Sequence, residues 1–239
     1  MSDPADTEAN DAVDATLAAA LCAARARLAA QGLAGTVRAS VSLRLPGGQG
    51  LLFLDGSERP PRRLAVAPAN TGAGADPYAP ALHAAIYARR ADVGAVLIGG
   101  GRFGRALVGL GGAIPLAFDE QARHLGRMPP PGLQGQGPGA APHAALDAAL
   151  ARALAPGGNA ALLDGVVACL GTTCQRMVFN AELFEKCATA YVLACATGGP
   201  VTTLPWWVCR IATGRLARDQ RRAAGRFAQG LLAEDVRGY

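Results

Sequence analysis

Three residues of "FDEQARHLG" stand where acid and base chemistry could be done. Asp119, Glu120 and His124 fall at the start of a short helical stretch, and positions 120 and 124 are i, i+4 neighbours on one face. An imidazole that titrates near neutral pH beside two carboxylates is a metal-free acid/base set. A helix-capping aspartate with a surface Glu–His pair is the competing description. Arg102 and Arg105 follow the glycine mouth of "AVLIGGGRFGRAL", and the free amides of a helix start also favour anions. Gly100, Gly101, Arg102 and Arg105 are therefore read as a pocket for a carboxylate or phosphate. Solvated arginines are the alternative. The lysine and spacing of a P-loop are missing. Asp164 in "ALLDGVVACLG" ends or interrupts an apolar strand, where a carboxylate needs partners or takes a raised pKa. His83 in "LHAAIY" reads first as a packed or hydrogen-bonded histidine. Cys169 and Cys174 bracket a turn and would be nucleophiles only beside a base.

The elements that must position these groups follow from hydrophobic periodicity. A helix is expected from Asp14 to Gln31, stopped by Gly32, after a polar, flexible segment 1–14. "TVRASVSLRL" alternates apolar and polar residues and predicts a half-exposed antiparallel strand, turned by Pro-Gly-Gly into a second strand at Leu51–Leu54. A short strand follows in "RLAVAP", then a helix about His83, a buried strand Val93–Ile98 and a helix Arg102–Leu110. Next come a short strand near Ile114–Ala117, the helix "DEQARHLGR", a loop "MPPPGLQGQGPGAAP" and a helix "HAALDAALARALA". "ALLDGVVACLG" is one buried strand, "NAELFEKCATAYVLACATG" a long helix, and Pro205–Leu232 a helical extension packing on the domain or a neighbouring subunit. The domain proper is 15–204 and the extension 205–239.

The 239 residues are half apolar, enough for a sizeable core. The net charge is +5, with almost all the positive charge from arginine because the chain has one lysine, and the basic C-terminal stretch supplies few aromatic or polar base readers, which argues against nucleic acid. No apolar run is long enough to span a bilayer, and the acidic N-terminus is unlike a signal peptide, so neither membrane nor export is expected and the cytoplasm is. The six cysteines form no C-x-x-C pair and read as buried free thiols.

Three stretches resemble the class II aldolase/adducin family: "LAAQGLAGTVRASVSLRLPGG", "LHAAIYARRADVGAVLI" and "ALLDGVVACLGTTCQRMVFNAELFEKCATAYVLACATG". The resemblance covers most of Leu28–Gly198. It implies an α/β fold, a three-layer α/β/α sandwich around a mixed, largely antiparallel sheet as in fuculose-phosphate aldolase. It further implies a homotetramer with sites between subunits, and a metal held by three histidines that polarises a substrate carbonyl. Adducins keep the fold without the reaction. The family's His-x-His falls on Ile98 and Gly100, its third histidine near Asp164, its catalytic glutamate on Ala79, and the glycine and asparagine of its phosphate-binding strand on Ala39 and Ser40. Neither Ile98 nor Gly100 can ligate zinc by a side chain.

The expected function is thus a metal-independent lyase, isomerase or cyclase, without a cofactor, for a small polar or anionic enolisable metabolite, with catalytic groups among Asp119, Glu120, His124 and Asp164. Arg102, Arg105, Gly100, Gly101, His83 and Ser40 would bind the substrate in space left by the lost ligands. The rival is a non-catalytic scaffold or partner subunit, and a metal site rebuilt around Asp164, His83 and a cysteine is a third reading.

Overall fold

The computed structural model describes residues 4–35, 39–48, 50–56, 59–65, 78–129, 150–154, 157–163 and 165–234. Six strands form one sheet in the order β3-β2-β1-β4-β6-β5. They are β1 (Ser40–Arg44), β2 (Gly50–Leu54), β3 (Arg62–Ala65), β4 (Ala95–Gly99), β5 (Ala160–Leu163) and β6 (Val166–Gly171), and all five pairings are antiparallel. Strand side chains alternate faces, and each face has its own core. Val41, Leu43, Leu97, Val167 and Cys169 pack with α1 (Pro4–Ala30) and the long helix α4 (Cys174–Ala196). Phe53, Val96, Ile98, Ala168 and Leu170 pack with α2 (Tyr78–Arg89) and the helical residues 150–154 on the other. Helices on both faces make three layers. Helix α3 (Arg102–Ala106) follows β4, and α5 (Trp206–Ala228) is the last helix among the described residues.

Several expectations change. Helix α1 begins at Pro4, ten residues before Asp14, because proline fits a first helical position and the polar run behind it contains good helix formers. Strand β1 is buried along its whole length. Its Ser40, Ser42 and Arg44 look like a solvent face in sequence, yet α2 covers them and supplies polar partners. The apolar run 160–171 is a hairpin of two strands, with Leu163 opposite Val166 and Gly165 at φ 74°. Asp-Gly is a two-residue hairpin signal, since such turns need positive φ. Asp164 itself lies outside the described residues, as do positions 130–149, which hold most of two expected elements. Residues 114–117 form no strand: the Gln121 side chain accepts from Ala117 N at 3.2 Å and donates to Ile114 O at 3.4 Å, doing the work of a strand neighbour. The helix after β4 is α-helical only to Ala106 and continues as a 3-10 turn to Leu110. Of the six free thiols Cys169 and Cys187 are buried, whereas Cys22 is exposed and the other three are intermediate.

Candidate functional site

Burial and hydrogen bonding decide what the end of β4 can hold. Ile98 belongs to the α2-side core. Gly100 has φ 99°, donates its amide to Leu33 O at 2.8 Å, and lies so close to β6 that a Cβ would stand 2.5 Å from Val167 Cγ2. A Cβ on Gly101 would fall 2.3 Å from the carboxyl carbon of Glu185. The glycines are therefore not space left by lost ligands; they are required for close packing with β6 and α4.

The amides expected to hold an anion are also in use. Glu185 on α4 accepts from Phe103 N at 2.8 Å and Gly104 N at 3.0 Å. The protein's own carboxylate thus caps α3, and Arg105 turns back to donate to Gly100 O at 3.4 Å. Arg102 and Arg105 stay exposed, beside a closed strand end. Removing this cap by Glu185→Ala leaves two amides without their partner and is expected to lower stability by about 1–2 kcal/mol, read from urea unfolding.

His83 is fully buried on α2. Its Nε2 shares a hydrogen bond of 2.9 Å with Ser40 Oγ and its Nδ1 one of 2.7 Å with Ser42 Oγ, which also meets Tyr87 Oη at 2.9 Å. Burial lowers the His83 pKa to about 3. A neutral ring held between two serines ties β1 to α2, and the His83 and Ser40 side chains are both buried.

Asp119, Glu120 and His124 are brought to one turn. Gln121–Leu125 is a single π-helical turn, a form frequent at functional sites. Asp119 pairs with Arg123, and Glu120 with Lys186 at 3.2 Å, both near the surface. His124 is half-buried, edge-on to Phe179 with ring centroids 5.0 Å apart, and its Nδ1 meets Arg176 Nη1 at 3.3 Å. Burial first, then the guanidiniums of Arg176 and Arg123, push its pKa below the usual histidine value. A guanidinium only donates, so Nδ1 is the acceptor and the ring is a neutral base. Burial pushes the Cys169 thiol pKa up and leaves it a poor nucleophile.

Two of the three positions matching the family's ligands, Ile98 and Gly100, offer a metal ion no side-chain donor, and among the described residues no three His, Cys, Asp or Glu side chains cluster to hold one.

A cleft of about 980 Å³ opens elsewhere, between the 113–116 loop, Arg127 and Met128, Tyr191 on α4, and the start of α5 with its preceding residues. Sequence reasoning did not locate it because its walls come from four separated segments with no local motif. A bulky exposed Trp206 beside Arg210 was the available signal.

Solved structures share this arrangement of sheet and helices. YgbL of Escherichia coli, named as a provisional aldolase/epimerase/decarboxylase, superimposes with a TM-score of 0.68 at 21% identity over 84% of this chain and 99% of its own. The fold is that of the class II aldolases. The L-fuculose-1-phosphate aldolase of Thermus thermophilus gives a TM-score of 0.60 at 21% identity over 79% and 100% of the two chains. An aldolase II superfamily protein from Pseudomonas syringae gives 0.63 at 18% identity over 90% and 94%. No family model matches the sequence, and no curated protein matches it. Among the described residues of this aldolase-fold chain no helix is long and apolar enough to cross a membrane.

Proposed function

We propose that this chain uses the class II aldolase fold without a divalent metal, on a small polar or anionic enolisable metabolite, by acid/base chemistry of the lyase, isomerase or cyclase type. The observation that carries the reading is the β4 end, where Ile98 and Gly100 replace donors and Val167, Leu33 and Glu185 fill the surroundings. His124 is the proton acceptor of this reading, neutral near pH 7 because of burial and the neighbouring guanidiniums. Asp119 and Glu120 place Arg123 and Lys186 around the turn. Arg102 and Arg105 are left to attract an anion from the surface, and Asp164 remains a candidate acid. Structural neighbours named for an aldol reaction of a sugar phosphate support a small, enolisable substrate.

Two measurements test this. Protein purified from zinc- and manganese-supplemented medium is expected to carry far less than one metal per chain by elemental analysis; stoichiometric metal overturns metal independence. With chelator present, deuterium exchange into pyruvate or dihydroxyacetone phosphate, followed by proton NMR, is expected to fall at least tenfold in His124→Ala.

A second reading, a non-catalytic subunit of a homo-oligomer, is favoured by the exposed Trp207, Ile211 and Leu193 on α5 and α4. Absence of exchange with either probe, together with a tetramer in solution, supports it over the first.

A further inference from the structure

We infer that the cleft at the start of α5 binds a small organic carboxylate with a flat apolar body. The inference goes beyond the metal-free reading, because binding there uses no group of the His124 turn and stands whether or not the chain is catalytic. Among the described residues two guanidiniums, Arg127 and Arg210, line the cleft and no carboxylate does. Among the described residues neither guanidinium has a hydrogen bond or ion pair, in contrast with Arg90, Arg123 and Arg226. Two like charges facing one concavity without a counter-ion favour an anion, and the planar fork of arginine suits a carboxylate.

The rest of the lining selects the body of the ligand. Ile114 and Met128 are buried apolar residues beneath the cleft. Tyr191 adds a ring, and Trp206, 75% exposed at the mouth, presents a large flat surface. At about 980 Å³ the cleft is far larger than an inorganic anion and lies within the range of metabolite sites. Leu204 N donates to Leu116 O at 2.8 Å, which fixes the two walls relative to each other.

The chain has two tryptophans, so Trp207→Phe leaves Trp206 as the sole indole reporter. Titrating 3-phenylpropionate into that variant is expected to give a saturable change in emission. Arg127→Ala and Arg210→Ala should each weaken binding at least tenfold, with smaller losses for the lysine variants. Both arginines are exposed, so melting temperatures should not move. The inference fails if 3-phenylpropan-1-ol binds as tightly, which would make the cleft an apolar groove, or if inorganic phosphate does, which would make it a bare anion site. It also fails if no probe changes the emission. The deuterium-exchange result is independent of each of these outcomes.

Discussion

Restoring the two histidines, by Ile98→His with Gly100→His, is expected to destabilise the protein by at least about 3 kcal/mol and to recruit no stoichiometric zinc. The first substitution puts a polar ring into an apolar cluster, at a cost of about 1–3 kcal/mol if it finds no partner. The second asks a residue with a Cβ to adopt φ 99° with Val167 Cγ2 2.5 Å away. Backbone strain of this kind costs on the order of 1–3 kcal/mol, and forced overpacking about as much again. Set against a total stability of roughly 5–15 kcal/mol, the sum is a large fraction, and the melting temperature should fall by about 10 °C. Gly100→Ala alone should show much of the loss. Val167→Ala should recover only a small part of it in a double-mutant cycle, because the methyl is gone while the Cβ of residue 167 stays 2.6 Å from the new one and the backbone strain remains. A double-histidine protein that melts like the parent and binds one zinc per chain would show that the strand end still accommodates the metal arrangement. The comparison separates two meanings of a lost ligand: a side chain merely exchanged, or a site rebuilt around its absence.

The sequence made the scaffold more legible than the site, for a physical reason. Leu17, Leu21 and Leu28 mark α1 by helical spacing, and the apolar runs of β2 and β4 are bounded by glycines, so each element declares itself locally. What the local pattern misreports is the environment. Ser40, Ser42 and Arg44 alternate with apolar residues as a solvent face would, yet His83 and Tyr87 on α2 receive the two serines, while Arg44 donates to Val93 O at 2.9 Å. Its guanidinium lies about 5 Å from the ring centroids of Tyr87 and Phe227. Glu185 reads as one more surface carboxylate on a long helix, because the α3 amides that it caps are some eighty positions earlier in the chain. The alignment of Ile98 and Gly100 to ligand positions identified which donors are absent. That the space is filled depends on Val167 and Glu185, contacts that only the antiparallel β4–β6 pairing and the seat of α4 create.

His83 should make the protein acid-labile well above the pH at which ordinary carboxylates titrate. In the folded state its pKa is about 3, against an ordinary value of 6.5 expected once the chain unfolds. Below pH 6.5 the unfolded chain takes up a proton that the folded chain refuses. This contribution to stability is therefore complete above pH 6.5 and is lost as pH falls toward 3. The slope is about 1.4 kcal/mol per pH unit, so near pH 4.5 the loss is on the order of 3 kcal/mol. Protonation is resisted because the ring is fully buried, Phe53 stands edge-on to it with ring centroids 5.2 Å apart, and its polar contacts are the neutral hydroxyls of Ser40 and Ser42. A neutral imidazole donates to one serine and accepts from the other; an imidazolium must donate to both, which turns each hydroxyl toward another acceptor. Urea unfolding at pH 7.0, 5.5 and 4.5 should show the native protein losing stability more steeply than His83→Gln, which keeps a donor and an acceptor in place but cannot titrate. Carboxylate titration is common to both proteins and cancels in the difference. Parallel pH profiles for the two would mean that His83 charges in the folded state, and with that the ring would regain a place among the groups able to move a proton near neutrality.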